Sequence, residues 1–179
     1  KEIRFVLEFD KARVADAVGK LGRGKRVEIP AHPLGPSGTN LQRTLYLEAY
    51  DDFPNVLLST VEYKNTGEAD ISLEKTVAQR HRLSAKLVDA KAKPYDLWSY
   101  QGSSYNWGED DILQMRKPLS HPNIMGEMVK GGYGGGIPVV AFWSAKVGTA
   151  IGHVETLPLP VSLPVKVDSD DRVDTALEI

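Results

Sequence analysis

The amino-acid sequence predicts an all-β fold, either an antiparallel sandwich or a barrel. Apolar and polar residues alternate with a period of two along many short segments, as they do in half-buried strands. The clearest example is the run Val56–Tyr63, in which Leu57 and Val61 share one face. The chain also contains 16 glycines and 11 prolines, residues that end strands and form turns. Many short strands separated by turn residues are typical of sandwiches and barrels, not of alternating strand–helix units.

The same alternation continues through Ile71–Val77, after the turn-forming residues Asn65 and Gly67. Because both residues tolerate positive φ, the two runs are expected to form a hairpin. Further strands are expected at Ile3–Phe9, Arg26–Ile29, Thr44–Ala49, Ser84–Leu87, Asp96–Tyr100, Ile137–Trp143 and Ile151–Thr156. The segment 12–21 fits either a short amphipathic helix or a strand. Three prolines within 157–165 predict an edge strand or an extended crossover, since proline cannot donate to a β-ladder.

The length, net charge and cysteine content of the chain limit the number of domains, the kinds of partner and the kinds of site that can be expected. A chain of 179 residues is expected to form one domain, or one domain plus an appendage, because domains average about 150 residues. The net charge of −2 gives no electrostatic reason to expect nucleic acid or an anionic membrane as a partner. The absence of cysteine excludes disulfides, thiolate metal sites and thiol nucleophiles. No apolar run approaches the length of about 18 residues that would suggest a membrane-spanning helix.

The acidic run Asp168–Asp174 follows the last strand-like segment. We therefore expect a β-sandwich over residues 1–167, followed by an exposed tail or linker over residues 168–179. The chain opens directly into strand-like sequence, with no initiating methionine. Both ends suggest a piece excised from a larger protein.

Two glycine-rich segments invite a nucleotide-binding interpretation. The segment Gly19–Arg26 matches the first seven positions of a phosphate-binding loop, but Arg26 stands where serine or threonine should hold magnesium. An extended segment also follows where a helix is required, so a basic surface turn is favoured. The segment Gly131–Gly136 lacks dinucleotide-binding spacing. It predicts a loop that enters a strand, or backbone that lies very close to another surface.

Aromatic residues are concentrated at positions 95–107. Trp98 and Tyr100 lie two apart and share a strand face, which favours a place in the core or at an interface. Tyr105 and Trp107 fall in a polar, glycine-flanked segment, where exposed rings that stack on sugars are more plausible.

No catalytic motif stands out. The chain has neither the HExxH motif of zinc proteases nor the GxSxG motif of esterases. His153 and Glu155 would project from one face of a strand and form a hydrogen-bonded pair, which is more often structural than catalytic. The sequence therefore predicts no metal site, no cofactor and no catalytic residue.

Two stretches, Leu97–Trp107 and Ser120–Glu155, read together suggest a family. The second contains Ser120-His121-Pro-Asn123, a glycine-rich entry into a strand, and the closing Gly-His-x-Glu sequence that ends at Glu155. These features resemble the N-terminal region of bacterial α-galactosidase-like enzymes of glycoside hydrolase family 36. The resemblance covers residues 40–167. It implies a large galactose-mutarotase-like supersandwich, in which Leu119-Ser120-His121 stands where the family has Ser-Ser-His.

In that family the β-sandwich packs on a (β/α)8 barrel that carries two catalytic aspartates. This chain shows no such barrel, so the resemblance implies a non-catalytic domain that helps shape the sugar-binding site of its parent enzyme. The residues expected near that face are Tyr105, Trp107, His121 and Tyr133. The implied partners are a galactoside-like carbohydrate and the missing catalytic domain.

Two other functions stay open from sequence. One is a free-standing carbohydrate-binding module that uses Tyr105 and Trp107 as a stacking platform. The other is a small sugar epimerase with His153 and Glu155 as acid and base. The sequence also leaves open whether the chain forms a homo-oligomer. Enzymes that degrade polysaccharides often leave the cytoplasm, which favours a periplasmic or secreted parent.

Overall fold

A computed structural model describes residues 2–34, 40–84, 86, 90–93, 96–101, 112–115, 119–121, 123, 139–154, 162–169 and 172–179. In this part of the chain the regular elements are 13 β-strands and one short 3-10 turn, η1 (Phe9–Lys11), which confirms the predicted all-β class. The described residues include no helix that is long and apolar enough to span a membrane.

The strands in chain order are β1 (Arg4–Leu7), β2 (Arg13–Gly19), β3 (Gly22–Leu34), β4 (Leu41–Tyr50), β5 (Leu57–Asn65), β6 (Val77–Leu83), β7 (Trp98–Gln101), β8 (Ile112–Gln114), β9 (Leu119–His121), β10 (Val139–Trp143), β11 (Gly148–Gly152), β12 (Val165–Ser169) and β13 (Arg172–Glu178). Contacts group them into two compact units, unit 1 (Lys1–Leu73) and unit 2 (Glu74–Ile179), where the sequence predicts one sandwich over residues 1–167.

Unit 1 is a five-stranded antiparallel sheet with the order β1-β3-β4-β5, in which β2 also pairs with β3. The 13 residues of β3 are enough to pair with β1 at one end and β2 at the other. The segment that fits a helix or a strand is therefore a strand. Gly19 pairs with Gly22, whose φ of +97° closes the tight turn from β2 into β3. The phosphate-loop-like segment is thus a hairpin turn, as its surface-turn interpretation predicts.

Alternation sorts the residues of unit 1 between the two faces of its sheet. Ile29 on β3 lies opposite Leu45, and Leu45 lies opposite Val61, so these apolar side chains share one face. Ile29 is only 3% exposed. Arg26 and Glu48, also opposite each other, lie on the other face. The sheet therefore has an apolar face and a polar face, as a half-buried antiparallel sheet should.

Unit 2 is a sandwich of two four-stranded antiparallel sheets, with the orders β11-β10-β7-β8 and β6-β13-β12-β9. We call them the aromatic sheet and the charged sheet, after the residues on their outer faces. Their inner faces share one core, built from Leu97, Met115, Val140, Phe142 and Ile151 on the aromatic sheet and Leu163, Val165, Val167 and Val173 on the charged sheet. β-Branched and large apolar residues at alternate positions explain why these strands pair and pack as two layers.

The hairpin predicted between Val56–Tyr63 and Ile71–Val77 is wrong. β5 pairs with β4, and β6 begins only at Val77 and pairs with β13. A turn does form at Asn65, because its amide Oδ1 accepts from the backbone N–H of Gly67 at 3.0 Å. The chain after that turn does not return along β5, since β5 and β6 belong to different units.

The expected exposed tail is also wrong for residues 172–178, which form the strand β13 between β6 and β12. Val173 is fully buried and Thr175 is 2% exposed. The acidic run suggests a solvated segment, but its last member, Asp174, belongs to a strand that also contains apolar residues. Asp174 faces outward on the same strand whose neighbouring positions face the core.

Candidate functional site

The outer face of the aromatic sheet carries three rings. Trp98 and Tyr100 lie on β7, and Trp143 on β10 lies directly opposite Trp98. Residues opposite each other in an antiparallel pair project from the same face, as do residues two apart on one strand. The three rings therefore share one face of unit 2.

Burial shows that this face points away from the core. Ser99, between Trp98 and Tyr100, is fully buried, whereas Trp98 is 44% exposed. Ile112 on the neighbouring strand β8 lies opposite Tyr100 and is 56% exposed. Of the two places that the sequence leaves for Trp98 and Tyr100, core or interface, the exposed surface fits the interface. Contiguous exposed apolar surface commonly marks an interaction site.

Small residues on β11 leave one side of the rings open. Gly148, Ala150 and Gly152 occupy successive outward positions on that strand. Gly148 lies opposite Trp143, and a Cβ built on it would lie 2.9 Å from the Trp143 Cβ. A larger residue at position 148 would thus have to displace the tryptophan. We call this surface, formed by β7, β8, β10 and β11, the aromatic face.

The aromatic face offers ring surfaces and one amide group for contact with a ligand or a partner. Gln114 lies opposite Trp98 and adds a polar amide at the side of the rings. The outward positions of these four strands, as far as the structure describes them, hold no carboxylate and no imidazole. Tryptophan and tyrosine rings can stack on the C–H faces of sugars or bury a large area against another protein.

Unit 1 contains another aromatic cluster, but its groups are already occupied. The Arg26 guanidinium lies 4.2 Å from the centroid of the Tyr46 ring and 3.5 Å from a carboxylate oxygen of Glu48. The Tyr50 hydroxyl donates to Glu48 at 3.1 Å, and this hydrogen bond raises the pKa of Tyr50. Because the guanidinium covers the Tyr46 ring, this cluster is a satisfied polar network and a weaker candidate site.

The four histidines of the chain lie on or directly after four different strands, β3, β6, β9 and β11. His32 lies 3.5 Å from Glu8, whose pKa is lowered chiefly by a hydrogen bond from Lys11. His153 follows β11 and is half-buried, while Glu155 lies outside the described residues. Within the described ranges no three His, Asp or Glu side chains come together as metal ligands.

The site residues predicted from sequence lie mostly beyond what the structure describes. Tyr105, Trp107 and Tyr133 fall in ranges 102–111 and 124–138, which are not among the described residues. The backbone of His121 ends β9, opposite Val165. These four residues therefore stay predictions.

Asn123, the last residue of the Ser-His-x-Asn segment, is hydrogen-bonded to Leu163, two residues before β12. Asn123 is 4% exposed and has a φ of 43°. Its side-chain amide donates to the Leu163 carbonyl at 3.2 Å, and its own carbonyl accepts from the Leu163 N–H at 3.0 Å. Asparagine tolerates positive φ better than most residues, so it suits this buried position.

Sequence reasoning missed Trp143 as part of the site. Two signals could have found it. Trp143 ends an alternating strand in which Val140 and Phe142 face the core, so its ring must face outward. The alternation of small residues on β11 also suggests a strand that leaves space for large neighbours.

The described residues thus form an all-β, sandwich-like protein with an exposed aromatic surface on unit 2. A comparison of the chain with models of known protein families finds no match, and a comparison with curated protein sequences finds none either.

Proposed function

We propose that the chain is the accessory β-sandwich of an α-galactosidase-like glycoside hydrolase and that it carries no catalytic residue. In this proposal the aromatic face packs against the (β/α)8 catalytic domain and helps to shape the sugar-binding site there. The identity of the partner rests on the sequence resemblance over residues 40–167.

The observation that carries the proposal is the exposure of the rings on the aromatic face. Trp98 is 44% exposed and Ile112, on the same face, is 56% exposed, so apolar surface is left in water. Burial of such surface is worth roughly 25 cal/mol per Å², so a covering domain would stabilise it.

The first experiment reads the coding sequence beyond the codon for Ile179. We expect it to continue into alternating strands and helices with aspartates at strand ends, the arrangement of catalytic carboxylates on a (β/α)8 barrel. A stop codon directly after Ile179 would overturn the accessory-domain proposal.

The second experiment measures hydrolysis of an α-galactoside by the full-length enzyme with Trp98→Ala. Truncation of a buried interface tryptophan commonly costs 2 kcal/mol or more, so we expect kcat/KM to fall roughly ten-fold or more. The Trp107→Ala enzyme is expected to lose activity as well. Phe9→Ala is the matched control, because Phe9 is a 68% exposed aromatic residue of unit 1. Unchanged kcat/KM in both tryptophan variants would refute the site assignment.

One observation favours a second function, a free-standing carbohydrate-binding module. Trp98 and Trp143 are direct cross-strand neighbours, and Gln114 stands beside them as a hydrogen-bonding group. Paired rings with a polar neighbour form the kind of platform on which a pyranose can stack.

A titration of the 179-residue chain with galactose and galacto-oligosaccharides separates the two functions. The accessory-domain proposal expects no saturable change in tryptophan fluorescence. Saturable binding that disappears in Trp98→Ala, but persists in Phe9→Ala, would favour the binding module.

A further inference from the structure

A groove of about 230 Å³ lies on the outer face of the charged sheet. Its walls include the cationic side chains of Arg80, Arg82 and Lys166, and the carboxylates of Asp174 and Glu178. Neither the aromatic face nor the proposed function makes use of it. The groove is therefore an independent candidate site.

The register of the strands in the charged sheet explains why the groove forms at this place. Ala176 on the central strand β13 lies opposite Arg80 on β6, so a methyl group stands where its neighbour has a long side chain. One step along the sheet, Asp174 lies between Arg82 on β6 and Lys166 on β12. Ala176 thus forms a small floor, and the long charged side chains of three strands rise around it.

The side chains that line the groove carry three positive and two negative charges, so a net positive charge remains. Arg82 Nε donates to Asp174 Oδ1 at 2.8 Å. Glu178 Oε2 accepts from Lys75 Nζ at 2.6 Å and from the Ser162 hydroxyl at 3.2 Å. Both carboxylates thus already have a cationic partner.

Two of the three cationic side chains that line the groove have no carboxylate partner among the described residues. Arg80 and Lys166 form no ion pair within the part of the chain that the structure describes. A guanidinium presents a planar fork of N–H donors, and an ammonium adds a compact point charge. Together they match the oxygens of a carboxylate, sulfate or phosphate group, which form charge-assisted hydrogen bonds with such donors.

We infer that this groove binds an oxyanion group of a small ligand, held between Arg80 and Lys166. Its volume of about 230 Å³ lies below the range of about 300–1,000 Å³ usual for drug-sized ligands, so it suits one charged group and little more. The existing Arg82–Asp174 pair keeps the third cation in place at the side of the groove.

The test titrates the 179-residue chain with sodium sulfate, inorganic phosphate and galacturonate, and follows backbone amide shifts of residues 80–82 and 174–176 by NMR. Neutral galactose is the ligand control. We expect saturable binding of the anions, weakening as sodium chloride rises because salt screens exposed charges. Binding of galacturonate but of neither inorganic anion would identify an acidic saccharide as the ligand, and binding of inorganic anions alone would identify free oxyanions. Either outcome supports the inference.

Arg80→Gln and Lys166→Gln are the decisive variants, and each is expected to weaken anion binding about ten-fold or more, since each removes a charge-assisted hydrogen bond to the anion. Lys146→Gln is the matched control, because it removes the same charge from an exposed turn between β10 and β11. Anion binding unchanged in the two groove variants, or the absence of any binding, would overturn the inference. Neither result depends on the aromatic face, so failure here leaves the proposed function standing.

Discussion

In the aromatic sheet the described outward residues are mainly rings and small or aliphatic side chains, whereas in the charged sheet they include arginine, lysine and carboxylates. Trp98 and Trp143 are neighbours on the first, and Arg82, Asp174 and Lys166 form a row across the second. Both sheets nevertheless contribute their inner faces to one core. The core thus constrains only alternate residues, and the outward residues are free to carry binding chemistry.

The inner faces differ too. The aromatic sheet contributes the apolar residues Met115, Val140 and Phe142. Both sheets turn a polar residue inward, Ser99 on the aromatic sheet and Thr175 on the charged sheet, and the difference lies in the hydrogen bonding of the Thr175 hydroxyl. Thr175 is 2% exposed, and its hydroxyl finds no hydrogen-bond partner in the described residues. His81 lies opposite Thr175 and is half-buried. The charged sheet is therefore expected to be the less optimised half of the sandwich.

The largest expected effect tests the division between inside and outside on the aromatic sheet. Met115 is fully buried directly after β8, while Ile112 on the same segment is 56% exposed. We expect Met115→Ala to lower the free energy of unfolding by about 2–5 kcal/mol, because it removes core contacts and leaves a cavity. Ile112→Ala should change it by less than about 0.5 kcal/mol.

Denaturant unfolding followed by far-ultraviolet circular dichroism measures both variants. Equal losses of stability in Met115→Ala and Ile112→Ala would contradict the assignment of the aromatic face to the outside of the sandwich.

A smaller effect of opposite sign tests the inner face of the charged sheet. Thr175→Val keeps the shape of the side chain and removes a buried hydroxyl that has no partner among the described residues. Since burial of such a group costs roughly 1–3 kcal/mol, we expect the free energy of unfolding to rise by about 1 kcal/mol. Thr60→Val, at an exposed position of β5, is the control and should be nearly neutral. A loss of stability in Thr175→Val would show that the hydroxyl has a favourable partner.

The smallest effect concerns pH. Burial lowers the pKa of His81 below its usual value of 6.5. Its ring Nε2 lies 2.8 Å from Gln79 Oε1, and the nitrogen donates because an amide oxygen can only accept. As pH falls below about 6.5, the unfolded chain takes up the proton before the folded chain does, so protonation favours unfolding. We expect the free energy of unfolding to be highest above that pH and to fall between pH 7 and pH 5.

His81→Gln should remove this part of the pH dependence. Arg80→Gln, one position away on the outer face, should retain it, because a guanidinium stays charged throughout that range. Unfolding curves at pH 7, 6 and 5 for the three proteins provide the measurement. A slope unchanged in His81→Gln would show that other groups cause the pH dependence.

Local pattern predicted much of the fold. Alternation identified most of the strands, and it correctly placed Trp98 and Tyr100 on a shared face. The pairing of β5 could not be read in this way. Asn65 and Gly67 indicate a turn whether or not the chain returns along β5. Which strand pairs with β5 depends on contacts between residues that are distant in the sequence.

The two candidate sites could not be predicted from local sequence patterns either. The rings of the aromatic face come from β7 and β10, which are separated by about 40 residues in the chain but lie opposite each other in the sheet. The groove joins β6, β12 and β13 in the same way. Neither constellation is a sequence motif, because its residues become neighbours only through strand pairing.

The sequence predicts that this protein is all-β and which residues share one side of each strand, because side-chain alternation is a local property of extended backbone. Which side faces the core is visible only in the folded structure, because it depends on the partner sheet. The segment Arg172–Glu178 illustrates both points. Its alternation is visible in the sequence, but its acidic residues suggest a solvated tail until β6 and β12 pair with it on either side and bury Val173.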